Sequence, residues 1–225
     1  MVSFAPLNMA RDQAICVRPD DQQWQDAPQA PVRRWPLERE APESGQVTSL
    51  VEYLPGTHFP AHLHPKGEEI LVLSGVFSDD GGDYPAGSYL RSPAGSRHAP
   101  YSAAGCLLFV KLNQFAEDDQ QALRLRPDAL CWQTTASGQR QCLLHTHGQE
   151  QTWLIECAAG ARLLMPPPVS GELLVLRGSL SEQAGSAVVQ PLSQYSWLRD
   201  PALGLRMLCA SAPTQVLLKL GALRL

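Results

Sequence analysis

The chain repeats itself. VTSLVEYLPG (47–56) aligns with QTWLIECAAG (151–160) at an offset of 104, and GEEILVLSG (67–75) aligns with GELLVLRG (171–178) after one deletion. SYLRSPAG (88–95) faces SWLRDPAL (196–203), and Trp24-Gln25 faces Trp132-Gln133. A period near 100 residues is too long for a solenoid unit and suits a small β domain. The 225 residues are therefore expected to form two similar domains in tandem, each large enough to bury its own core. The repeated segments are short apolar runs bounded by Gly, Pro, Asp or Ser, which read as strands. With 17 Gly and 19 Pro punctuating the chain, only FAEDDQQALRL (115–125), at the join between the copies, is rich enough in helix formers to predict a helix. The expectation is an all-β chain: an N-terminal segment over 1–20, a first domain over 21–125 and a second over 126–225.

The charge balance narrows the function classes. A net charge of −4, a pI near 5.8 and no block of like charges give no footprint for nucleic acid or for an anionic membrane. No signal-peptide pattern and no apolar run of about 18 residues is visible, so a cytoplasmic protein without a membrane segment is expected. The six cysteines are scattered with no Cys-x-x-Cys pair, and they read mostly as buried thiols in a reducing compartment. No phosphate loop, dinucleotide fingerprint or Ser-His-Asp arrangement is present; DDGGD reads as a hairpin turn.

The chemistry gathers in GTHFPAHLHPKGEEILVLSG (56–75). On an extended strand His62 and His64 project to the same side, because side chains alternate with a period of two. Pro65-Lys66-Gly67 turns the chain, and Glu68 or Glu69 returns at the start of the next strand. His98, just after the turn in SPAGSRH, is the candidate for a further ligand. One metal ion needs ligand atoms within about 2.0–2.2 Å of a common point, which an H-x-H pair and a carboxylate can supply. An isolated H-x-H pair is more often ordinary surface.

The spacing of the whole set is more specific. Gly56, His62, His64, Glu68 and Gly75, followed by Gly87, Pro93, Gly95 and His98, stand in the order and at the intervals of the two signatures of the cupin superfamily. This spacing selects Glu68 over Glu69. The second signature often ends in Asn; here Ser102 stands there, a change expected to affect packing more than ligation. The stretch GEEILVLSGVFSDDGGDYPAGSYLRSPAGSRHAPYSAAGCLLFVKLNQF resembles the cupin domain of ChrR-type anti-sigma factors, whose two close His, Glu and later His bind zinc. The resemblance implies two tandem cupin (jelly-roll) barrels, with His62, His64, Glu68 and His98 as zinc ligands in the first. It does not extend to the sigma-binding zinc module: residues 1–45 hold one Cys and no His, so that module is expected to be absent.

The second copy has lost the ligands. Pro166 and Pro168 stand where His62 and His64 are, no histidine replaces His98, and Glu172 survives opposite the Glu68/Glu69 pair. A structural or dimerising role is expected for it, with a homodimer as one outcome. A rival cluster, Cys142, His145, His147 and Glu150, contains a second H-x-H but lies upstream of the usual ligand position. Three imidazoles and a carboxylate suit Zn, Fe, Mn, Ni or Cu, so the ligand set leaves the metal open, while the resemblance favours one zinc per chain. Two functions follow. One is a sensor or accessory protein in the oxidative-stress response, with a protein partner; the other is an Fe(II)-dependent dioxygenase acting on a diketone, thiol or similar small molecule in the first barrel. Phe59, Phe77, Tyr84 and Tyr89 are candidates to line that barrel, Arg91 or Arg97 to meet an anionic substrate, and Lys111 is a charge in an apolar strand.

Overall fold

The computed structural model describes residues 5–27, 30–41, 44–182 and 190–223. The chain forms two compact units, one of residues 1–9 and 23–129, the other of 10–22 and 130–225. Both are all-β, jelly-roll barrels of antiparallel strands. The main sheet of the first unit runs in the order Leu123–Leu125, Tyr89–Ser92, Glu68–Asp79, Cys106–Leu112, Val47–Tyr53, Val32–Arg39, Gln25–Asp26. That of the second runs Ile15–Val17, Trp197–Asp200, Gly171–Arg177, Thr214–Leu220, Glu150–Cys157, Arg140–His147, Gln133–Thr134. Each strand of one sheet has a counterpart at the same place in the other, so the sequence repeat is a structural repeat.

The outermost position is filled differently. In the first unit Leu123–Leu125 follows the rest of the sheet in sequence and pairs with Tyr89–Arg91. In the second the same place is taken by Ile15–Val17 from the N-terminal segment, with Ile15 opposite Arg199 and Val17 opposite Trp197.

Alternation along the strands sorts side chains to two faces. In the first unit Val51, Ile70, Val72, Leu90, Leu108 and Val110 pack inside the barrel, and Ile155, Leu173, Val175, Leu198, Val216 and Leu218 do so in the second. Burying each such side chain contributes roughly 1.5–3 kcal/mol. On the opposite face a polar row crosses each sheet. Arg91, Glu69, Lys111, Thr48 and Glu38 are successive cross-strand neighbours in the first unit; Arg199, Glu172, Lys219, Thr152 and His145 are in the second. Glu172 is thus the counterpart of Glu69, and Gly171 stands in the place of Glu68. A Cβ at Gly171 would lie 2.4 Å from Lys219 O, so no side chain fits there without movement.

The segment 115–125 is not a helix. Asp119 turns inward to pair with the buried Arg91, and the Phe115 ring lies 4.0 Å from the Arg91 guanidinium. An isolated helix shorter than about 12–15 residues is marginal in water, so these tertiary contacts prevail. Among the described residues helical turns are confined to three short 3-10 segments, Pro19–Asp21, Pro127–Ala129 and Leu203–Leu205. No helix of the described residues is long and apolar enough to cross a membrane.

Candidate metal centre

A two-stranded ribbon, His62–His64 against Ser96–His98, carries three of the four candidate ligands. His98 faces His62 directly, and His64 faces Ser96. Leu63 points the other way and is 52% exposed. Two glycines shape the turns around the ribbon: Gly95 (φ +82°) and Gly67 (φ +84°) both donate their N–H to His64 O. At Gly67 a Cβ would sit 2.6 Å from the Phe115 ring, so the residue that returns the chain to Glu68 has no room for a side chain.

The three imidazoles form a near-equilateral triangle, with ring centroids 4.8 Å (His62 to His64), 5.0 Å (His62 to His98) and 4.8 Å (His64 to His98) apart. One Glu68 oxygen, Oε2, lies 3.4 Å from His64 Nε2 and 3.4 Å from His98 Nε2. Ligand atoms of all four residues lie within 4.8 Å of one another. Metal–ligand bonds of about 2.0–2.2 Å place neighbouring ligand atoms roughly 3.0–3.5 Å apart, which the two 3.4 Å separations from Glu68 match.

Hydrogen bonding points the same way. His64 Nε2, Glu68 Oε2 and His98 Nε2 are buried with no hydrogen-bond partner. Three converging polar atoms left in this state cost about 1–3 kcal/mol each, and a shared cation would satisfy all three at once. The second nitrogens are occupied: His62 Nδ1–H donates to Pro60 O at 2.8 Å, and His98 Nδ1–H to Asp79 Oδ2 at 3.3 Å. Both acceptors require a proton on Nδ1, which leaves the Nε2 lone pairs facing inward.

The electrostatics favour the neutral form at His62 and His64. Burial, with the neighbouring His98 and His62, pushes His64 down to about 3; burial also lowers His62. Burial pushes Glu68 up to about 7, against the opposing influence of His98 and Arg124, so a cation that takes this carboxylate competes with a proton for it near neutral pH. Asp79 shows the opposite balance. Burial acts upward on it, but hydrogen bonds from His98 and the Gly81 N–H, with the charge of Arg124, hold it below its ordinary value.

Beside the cluster lies a cavity of about 210 Å³. His62, His64 and Glu68 line it together with the apolar Val51, Ile70, Leu108 and Val110. Phe59 lines it too, edge-on to His62 at 5.0 Å. Phe77 packs between Tyr53, Tyr84 and His98 in the barrel interior. Tyr53 lines the cavity, and burial and the nearby Glu68 push its phenol upward, so it stays a hydroxyl.

The other sequence candidates lie elsewhere. Arg91 is 1% exposed and paired with Glu69 and Asp119 on the face away from the cavity, where Tyr89 Oη also donates to Glu69 at 3.0 Å. Lys111 Nζ donates to Thr48 Oγ1 at 2.8 Å on that same face, which accounts for its charge in an apolar strand. Arg97 is exposed. The cation that does line the cavity is Arg34, which sequence reasoning passed over, as it did Asp79. Ser102 is fully buried and donates to Val76 O at 2.6 Å, a packing role. In the second unit Glu150 accepts from Lys219 Nζ, and Cys142, His145, His147 and Glu150 do not converge: among the described residues His62, His64, Glu68 and His98 form the single group of this kind.

Residues 12–116 match the family model of the ChrR cupin-like domain. No protein of curated function matches the sequence. Solved structures share the fold at low identity. A candidate dioxygenase from Nostoc punctiforme superposes with a TM-score of 0.71 at 16% identity, over 92% of this chain and 82% of its own. The bacterial pirin of Escherichia coli, in complex with nickel(II), gives 0.68 at 15%, over 92% and 98%. The formate complex of Lactobacillus farciminis oxalate decarboxylase gives 0.66 at 13%, over 96% and 86%. The chain thus carries the cupin fold twice over, and residues 12–116, which hold most of the first barrel, are similar to the ChrR cupin-like domain.

Proposed function

We propose that the first barrel is a mononuclear metal centre acting on a small organic molecule, with Fe(II)-dependent dioxygenase chemistry as the leading reading. His62, His64, Glu68 and His98 would hold the ion. The observation that carries this reading is the cavity against three of those four residues: a purely structural site closed by protein ligands needs no such space. Fold-level likeness to a candidate dioxygenase and to a nickel-binding pirin supports a reactive rather than a structural centre. A bound ion with an open position would supply Lewis acidity and, as iron, access to dioxygen. The protein's part is to present three imidazoles, to hold His98 through Asp79, and to keep an apolar wall around the bound molecule. A cytoplasmic location is part of the proposal, and six free thiols are in keeping with a reducing compartment.

The match to the ChrR cupin-like domain favours a second reading, a zinc-loaded sensor or accessory protein of the oxidative-stress response that is read by a protein partner, with a homodimer as one form. Elemental analysis of protein purified anaerobically without chelators, followed by oxygen uptake against diketones and thiols, separates the two. About one iron per chain with substrate-dependent oxygen consumption establishes the dioxygenase. About one zinc and no oxygen consumption overturns it in favour of the sensor.

A further inference from the structure

Arg33 and Arg34 are adjacent on the strand Val32–Arg39 and meet different fates. Arg33 pairs across the sheet with Glu52, its guanidinium 5.6 Å from the Trp24 ring. Arg34 sits opposite Val51 on the interior face, half-buried, and lines the cavity with Val32, Val51 and Tyr53. Among the described residues it has no carboxylate partner, and it is the one cation in the described lining. Its charge reaches into the site, acting on both Tyr53 and His62.

We propose that this cavity takes a small organic carboxylate with an apolar body, whose anionic end is held by Arg34. A guanidinium beside apolar walls is partly desolvated and uncompensated, and a carboxylate offers it two parallel charge-assisted hydrogen bonds. Tyr53, which keeps its hydroxyl proton, lines the same cavity. The aliphatic side chains of Val51, Ile70, Leu108 and Val110 suit a hydrocarbon or aromatic body. An apolar cavity of about 150 Å³ holds benzene, so 210 Å³ admits a ring with one carboxylate. The proposal deepens the metal-centre reading by naming its ligand class, but the Arg34 contact itself does not require the ion.

Benzoate is the probe. Calorimetric titration of the full chain, with benzyl alcohol as the neutral comparison, is run on wild type, Arg34→Gln, Arg34→Lys and Arg33→Gln, and the metal content of each is measured in parallel. Saturable benzoate binding is expected in wild type and Arg33→Gln, weakened about ten- to a hundredfold in Arg34→Gln and less in Arg34→Lys. Benzyl alcohol is expected to bind all four alike, and metal content is expected to be equal throughout. Undiminished benzoate affinity in Arg34→Gln, or no saturable binding to wild type, overturns the proposal. If Arg34→Gln fails to fold, Arg34→Lys decides by the same comparison. Absence of metal from wild type would overturn the metal centre and still leave the Arg34 comparison decisive.

Discussion

Asp79 Oδ2 stands 3.3 Å from His98 Nδ1, at the last residue of the strand that Glu68 begins. One strand thus brings a candidate ligand carboxylate in at its start and a carboxylate beside His98 at its end. Asp79→Asn keeps the shape and removes the charge. Metal affinity should fall about 10–100-fold, measured by competition with a chromophoric chelator, while the fold is unchanged. Unaltered affinity would remove Asp79 from any part in the site.

Single replacements should divide the histidines into two sets. Ala at His62 or His98 is expected to abolish stoichiometric metal in purified protein, whereas Ala at His145, outside the cluster, should leave it intact. A full metal load in His62→Ala would sink the ligand assignment.

Metal removal should cost stability. An ion that binds only the folded chain contributes about 4 kcal/mol at a thousandfold excess over its dissociation constant. Chelation should therefore lower the melting temperature of the wild type by several degrees and leave His98→Ala unmoved. Equal shifts in both would mean that the chelator acts elsewhere.

The buried cation away from the site makes a separate prediction. Asp119→Ala strips Arg91 of one of its two carboxylates at 1% exposure, and should destabilise the first unit by about 3–5 kcal/mol in chemical denaturation. Per-chain metal content of the folded protein should stay at the wild-type level, because Arg91 faces away from the cavity.

The repeat, the strands and the convergence of His62, His64, Glu68 and His98 were legible in the sequence because each is written as spacing, and spacing on a strand fixes direction. What spacing could not supply was the face on which a charge falls. Arg33 and Arg34 look alike until the register against Val47–Tyr53 sends one to Glu52 and the other into the barrel. Glu172 looked like a surviving remnant of either glutamate until its neighbours Arg199 and Lys219 identified it as the counterpart of Glu69. Local propensity misled at 115–125, where helix formers are held in place by Asp119 and Phe115 reaching Arg91. Asp79 was visible in FSDD, but only its arrival beside His98 gives it a role.

The strand Ile15–Val17 closes the sheet of the second unit, although nearly two hundred residues separate it from Trp197–Asp200. During synthesis it leaves the ribosome before any strand of the barrel it will complete, and must wait, its edge unsatisfied, until the rest of the chain has followed. The two domains therefore cannot be cut apart as beads on a string. A shortened chain begun at residue 23 to isolate the half that holds the His62 cluster would leave that half's main sheet whole, and the same trim with both barrels kept would open an edge in the other.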